Sequence, residues 1–151
     1  RYRDIIIESF QFCRKNKGLL IGGYVIMSNH IHVIWTANNN NLSDIVRDFK
    51  TFTSKAITSS IQNEPESRRE WLLYMFRFFA NRTNANDNFK VWTANNHPEE
   101  IHSDSMLKIK LNYIHENPVR AGLVQEPDHF IYSSAADYAD KKGIMEIDFL
   151  Y

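Results

Sequence analysis

Two histidines stand two positions apart in the stretch Tyr24 to Trp35, "YVIMSNHIHVIW". The surrounding Ile, Val and Trp give the composition of a strand. Side chains two apart on a strand share a face. His30 and His32 therefore project together, roughly 7 Å apart at Cα by strand rise, and their imidazoles suit convergence on one metal ion. On spacing alone a half-exposed strand that happens to carry two histidines is the plainer reading, and a metal site needs a third ligand. A second constellation lies in "LKIKLNYIHENPV" (107–119). At about 100° per residue, Leu107, Leu111 and Ile114 form a core stripe. Met106, Lys110, Tyr113 and Asn117 form another stripe, roughly 100° round from it.

Tyr113 thus belongs on the flank of its helix, with Asn117 one turn further on. A flank tyrosine usually packs its ring and wets its hydroxyl, and spacing alone favours that reading in a chain with seven tyrosines. The chemistry changes if both stripes meet. A phenol with pKa near 10 is a poor nucleophile at neutral pH and needs help. A cation held by two imidazoles and an amide oxygen would polarise a phosphate and help an alkoxide leave. Such a site would break a phosphodiester and store the bond as a phosphotyrosine ester. Lys110 either steadies the phosphate or the phenolate, or is a solvated lysine.

These residues need elements to position them. A chain of 151 residues, 43% hydrophobic, suits one domain with its own core. No apolar run approaches the roughly 20 residues that span a bilayer, and no secretory signal pattern opens the chain. A single cysteine, Cys13, excludes an internal disulfide and fits a reducing cytosol. Lys plus Arg equals Asp plus Glu at 18 each, so net charge does not argue for or against nucleic acid. The chain begins at Arg1 inside a helical pattern, and a further segment is expected upstream.

Ile5, Ile6, Phe10 and Cys13 predict a helix over 1–17, stopped by Gly18. Residues 19–27 and 31–36 read as a β-hairpin linked by Ser28-Asn29. "LSDIVRDFKTFTSKAITSSI" (42–61) is an amphipathic helix with Leu42, Ile45, Phe49, Phe52, Ile57 and Ile61 inward. "WLLYMFRFFANR" (71–82) predicts a buried helix. Residues 84–88 read as a turn and 89–92 as a short strand. A helix over 97–117 is expected to start at Pro98 and its glutamates and to end at Pro118. From about 125 to 151 the chain reads as a turn-rich C-terminal tail. With one strand added upstream, the order becomes a βαββαβ split unit with an extra helix. The expected fold is α+β, a ferredoxin-like antiparallel sheet with helices on one face and the other face open.

The motifs carry a resemblance. "MSNHIHVIW" resembles the HUH motif (two histidines around a bulky hydrophobic residue) of single-strand DNA transposases. "YIHENPVRAGLV" resembles the tyrosine motif of the REP-associated tyrosine transposases, relatives of the single-tyrosine insertion-sequence transposases. "IVRDFKTFTSKAI" and "NHPEEI" are also similar to that family. The resemblance implies a metal-dependent single-strand DNA endonuclease and strand transferase. It implies metal ligands at His30, His32 and Asn117, and a nucleophile at Tyr113. It further implies Mg²⁺ or Mn²⁺, cutting beside imperfect hairpins, a 5′-phosphotyrosine with a free 3′-OH, and action on bacterial DNA in the cytoplasm, with a homodimer as one possible assembly. Imidazoles are unusual ligands for Mg²⁺, which prefers oxygen, so Mn²⁺ is expected to serve at least as well.

DNA contacts are expected from Arg47 and Lys50, with Lys55, on the helix after the hairpin, and from Lys108, Lys110 and Arg120 beside Tyr113. Each also suits a plain solvated charge. Trp35, Trp92 and Phe89 suit stacking on unpaired bases, although core packing is the commoner fate of strand aromatics. Two other function classes stay open: a non-catalytic hairpin-DNA-binding protein, and a structural metal-binding domain without a DNA partner.

Overall fold

Gly18, at φ 72°, stops the first helix and turns the chain into a hairpin. The computed structural model describes residues 1–83, 88–93 and 97–150. The elements are α1 (Tyr2–Lys17), β1 (Leu19–Ile26), β2 (Ile31–Ala37), α2 (Leu42–Asn63), α3 (Arg69–Arg82) and α4 (Asp104–Arg120). A 3-10 turn (Pro127–His129) and the short α5 (Ala135–Tyr138) follow. β1 and β2 pair antiparallel, so the fold is α+β, as expected. The chain divides into two compact units, Arg1–Ser9 with Ser43–Pro98, and Phe10–Leu42 with Glu99–Tyr151.

In the first unit, α2 buries Ile45, Phe49, Thr53, Ile57 and Ile61, one residue every four. Phe52, expected inward, is 62% exposed. Thr53 takes the inner position instead. Its hydroxyl donates to the Phe49 carbonyl at 2.7 Å and accepts from the Trp92 indole at 2.9 Å. Those two bonds satisfy a buried hydroxyl that would otherwise be costly. The segment 89–92 forms no strand. Its Lys90 N–H bonds the Phe76 carbonyl at 2.9 Å, and Trp92 lies against Phe49, so its contacts go to helices rather than to a ladder. The turn expected at 84–88 lies, apart from Asn88, outside the described residues. α3 forms as expected but is not buried: Trp71, Tyr74, Phe78 and Phe79 are 40–64% exposed, and among its described residues only Ala80 is buried. Apolar residues all round one helix exceed what its neighbours in this unit cover.

In the second unit the hairpin register runs from Leu19↔Ala37 to Ile26↔Ile31, with a bulge between Ile21 and Gly23. The Met27 N–H bonds the His30 carbonyl at 2.9 Å, closing the Ser28-Asn29 turn. Alternation puts Tyr24 and Trp35 on one face, where Phe10 of α1 meets both edge-on. The other face carries Val25, His32 and Ile34. The arrangement expected to leave that face open differs here: α4 covers it through Leu107, Leu111 and Ile114. Gly23 permits the approach, since a Cβ there would stand 2.5 Å from Leu111.

Both predicted ends of α4 move. Ser103 caps its start, accepting from the Met106 N–H at 3.1 Å, so the helix begins at Asp104 rather than near Pro98. It runs on to Arg120 and is closed by Gly122, not by Pro118. Gly122 adopts φ 72°, the Leu123 N–H bonds the Pro118 carbonyl, and the Gly122 N–H bonds that of Val119, both at 2.9 Å. This is a Schellman closure, which needs a residue tolerant of positive φ. Pro118 sits in the last turn, losing one helical hydrogen bond while burying its ring.

The tail after 125 is part of the sheet's support. It covers the outer edge of β1: the Ile26 N–H bonds the Tyr132 carbonyl at 2.9 Å and the Ser134 N–H bonds that of Tyr24 at 3.0 Å. Asp148 donates its N–H to the Ile21 carbonyl at 2.7 Å and accepts from the Ile21 N–H and from Arg14. An otherwise unpaired strand edge is thereby satisfied. Ser134 Oγ accepts from the Tyr24 N–H at 2.9 Å and lies 2.8 Å from His115 Nε2, tying α4, β1 and the tail together. Ser134→Ala is expected to cost about 1–3 kcal/mol, because a buried N–H loses its acceptor. Denaturant unfolding monitored by circular dichroism measures it.

Burial pushes the His115 imidazole down to about 4. Its folded pKa lies below its unfolded value near 6.5, so the folded state favours the neutral ring. The stability this contributes is complete above about pH 6.5 and is lost as the pH falls through about 4. The expected loss is about 2 kcal/mol after allowing for the ring's partial exposure. Unfolding titrations at pH 7, 5.5 and 4 on the protein and on His115→Gln check it, the variant showing the smaller pH effect.

Candidate active site

The hairpin turn delivers His30 at its exit, exposed, one residue before β2 begins. His30 Nδ1 lies 2.8 Å from the Asn29 side-chain oxygen. An amide oxygen only accepts, so Nδ1–H is the donor in this contact and Nε2 is the ring nitrogen left over for a ligand. His32, half-buried, stands opposite Val25 in the ladder. Burial first, then the nearby charges of His30 and Arg120, hold its pKa below the ordinary value, so it is neutral at pH 7. The two rings lie 5.2 Å apart, centroid to centroid, and nearly perpendicular.

α4 brings the phenol to them. The Tyr113 ring centroid is 5.6 Å from that of His32, edge to face, and the residue is 50% exposed. It sits on the helix flank because Leu111 and Ile114, on either side of it, take the buried positions. Arg120, two turns on, lies across the outer side: its guanidinium carbon is 4.5 Å from the Tyr113 centroid. Nη2 of Arg120 donates to the Tyr113 carbonyl at 2.8 Å. The helix must continue through Pro118 for this bond to form. Asn117, half-buried, stays helical for the same reason, one turn beyond Tyr113.

Other sequence candidates have different partners. Lys110 pairs with Glu99, so its ammonium is engaged by a carboxylate. Arg47 and Lys50, expected to act together, belong to the first unit and turn to different partners. Arg47 bonds Asp44 and Asp48, and Lys50 donates to the Thr93 carbonyl at 3.4 Å. Trp35 and Trp92 pack against Phe10 and Phe49, and Phe89 lies beside the Arg77 guanidinium. Sequence reasoning missed Asn29, although a turn amide immediately before a histidine was visible as a signal.

The donor set can be tested against a cation. Among the described residues no group of three or more His, Cys, Asp or Glu side chains forms a metal site. The two imidazoles with the Asn117 amide oxygen would make a mixed N/O set, suited to Mn²⁺ and adequate for Mg²⁺ once water and phosphate add oxygens. Asn29 orients one imidazole as outer-sphere partners of metal ligands do. Asn29→Ala is therefore expected to weaken Mn²⁺ binding about 10- to 100-fold, read by calorimetry, with little change in unfolding.

The family model described as "Transposase IS200 like" matches residues 2–100, about two-thirds of the chain. The chain belongs to the IS200-like transposase family. It is therefore a transposase, a class of enzymes that process DNA in recombination. The match includes His30 and His32 and ends before α4, which carries Tyr113, Asn117 and Arg120. No curated protein and no solved structure matches the transposase. No described helix is long and apolar enough to cross a membrane.

Proposed function

We propose that this transposase is a metal-dependent single-strand DNA endonuclease and strand transferase whose nucleophile is Tyr113. The observation that carries the reading is the run of rings His30, His32, Tyr113, each 5.2–5.6 Å from the next, assembled from segments some eighty residues apart. His30, His32 and Asn117 would hold Mg²⁺ or Mn²⁺, which when bound polarises the scissile phosphate. Tyr113 Oη attacks phosphorus, the bond from phosphorus to the 3′ oxygen breaks, and the phenol gives up its proton to water. The departing 3′ oxygen takes up a proton and leaves a free 3′-OH, while the 5′ phosphate stays on tyrosine. Attack by a 3′-OH on that ester restores the phosphodiester and frees the phenol. Arg120 keeps the phenol ring in place and offers a cation to the phosphate.

The substrates proposed are single strands beside imperfect hairpins, such as repeated extragenic elements in a bacterial genome. The test is covalent capture. The protein is incubated with Mn²⁺ and end-labelled oligonucleotides that carry genomic hairpins and their flanks. A labelled band that survives denaturing gel electrophoresis supports the reading. Binding to the hairpins without any adduct, in Mn²⁺ and in Mg²⁺, assigns the chain to non-catalytic hairpin binding instead.

A further inference from the structure

We infer that the exposed face of α3 is a stacking platform for unpaired nucleotides, a second DNA-binding surface of the transposase. The inference rests on the reading above that the substrate is single-stranded DNA. Trp71, Tyr74 and Phe78 recur at i, i+3 and i+7, and Arg82 follows one turn later. At 100° per residue all four fall within an arc of about 80°. They form a line about 16 Å long by helix rise. Trp71 is 59% exposed, Tyr74 64% and Phe78 40%. Tyr74 and Phe78 lie near-parallel at 6.2 Å, and the Arg82 guanidinium carbon is 5.1 Å from the Phe78 centroid. Phe79 is 46% exposed beside them.

Size and charge decide the occupant. Each ring offers about half of the roughly 150–250 Å² of an aromatic side chain, about 400 Å² for the four. Stable protein interfaces bury roughly 800 Å² per partner, so the stripe is small for a second copy of the chain. A purely apolar partner would also gain nothing from a guanidinium at the end of the line. Flat rings presented in series, with an arginine at their end, match what successive bases and their phosphates require. Bases stack on such rings without sequence preference, because every base has a π-face.

The test uses the whole chain and a fluorescein-labelled oligothymidylate of about 15 nucleotides, near the upper site size of single-strand-binding folds. The paired substitution Trp71→Ala with Tyr74→Ala is expected to weaken binding at least tenfold. At saturating hairpin oligonucleotide, the same variant still forms the covalent adduct. Trp71→Tyr with Tyr74→Phe keeps the rings and is expected to retain affinity within about threefold, which separates stacking from misfolding. Tyr113→Phe is expected to bind oligothymidylate normally while forming no adduct. Equal binding by the alanine pair and the parent overturns the platform and leaves the Tyr113 reading intact. A change in oligomeric mass in the alanine pair overturns it in favour of a second copy. Failure of the parent to bind single strands removes both readings.

Discussion

Tyr113→Phe is expected to abolish covalent adduct formation, by at least about 10³-fold, while leaving the fold unchanged. The substitution keeps the ring. Its edge contact with His32 at 5.6 Å and the Arg120 guanidinium at 4.5 Å depend on the ring, not on the hydroxyl. The residue is half exposed, so loss of one oxygen is expected to change stability by no more than about 0.5 kcal/mol. A flank tyrosine that merely packs would be silent under this change. The assay is adduct formation on hairpin oligonucleotides in Mn²⁺, with unfolding curves run in parallel. An adduct that persists in the variant would remove Tyr113 as the nucleophile and direct attention to another hydroxyl.

His30→Ala is expected to reduce adduct formation about 10³-fold, the several kcal/mol that a cation contributes to phosphate transfer. His30 is exposed, so its removal is expected to leave stability within about 0.5 kcal/mol. His32→Ala is expected to match that kinetic loss and to add about 1 kcal/mol of instability, because His32 is half-buried between Val25 and the Tyr113 ring. The contrast matters: one variant separates chemistry from folding and the other does not. Chelation should reproduce the kinetic loss in the parent, and added Mn²⁺ should restore activity at least as well as Mg²⁺. Full activity of His30→Ala in Mn²⁺ would exclude that imidazole from the cation site.

Local regularities made much of the scaffold readable. The helix over 1–17, both strands of the hairpin and the helix from 42 follow from apolar periodicity and turn residues, and their ends fall within two residues of the observed ones. The period of two put His30 and His32 on one face, and the period of 3.6 put Tyr113 and Asn117 one turn apart. Each relation spans at most four residues, so backbone geometry alone determines it.

Tertiary structure decided what those faces meet. Whether the histidine face lay open or against Tyr113 depended on α4 crossing the hairpin at Gly23, a contact between residues far apart in sequence. Two stop signals competed at the end of α4, and Gly122 prevailed because its positive φ closes the last carbonyls while Pro118 still fits a final turn. Phe52 and Thr53 are neighbours with equal claim to the inner stripe, and the Trp92 indole chose the threonine. Hydrophobicity made α3 a helix but did not say which of its sides would find cover. The tail carries no strand pattern, yet its backbone satisfies the edge of β1, because an unpaired edge accepts any extended segment that reaches it. Sequence alone settled the first helix, the hairpin and the helix from 42, and which neighbouring side chains share a face, since these are short-range properties of the backbone. The partners of those side chains were set only on folding, when distant segments competed for the same surfaces.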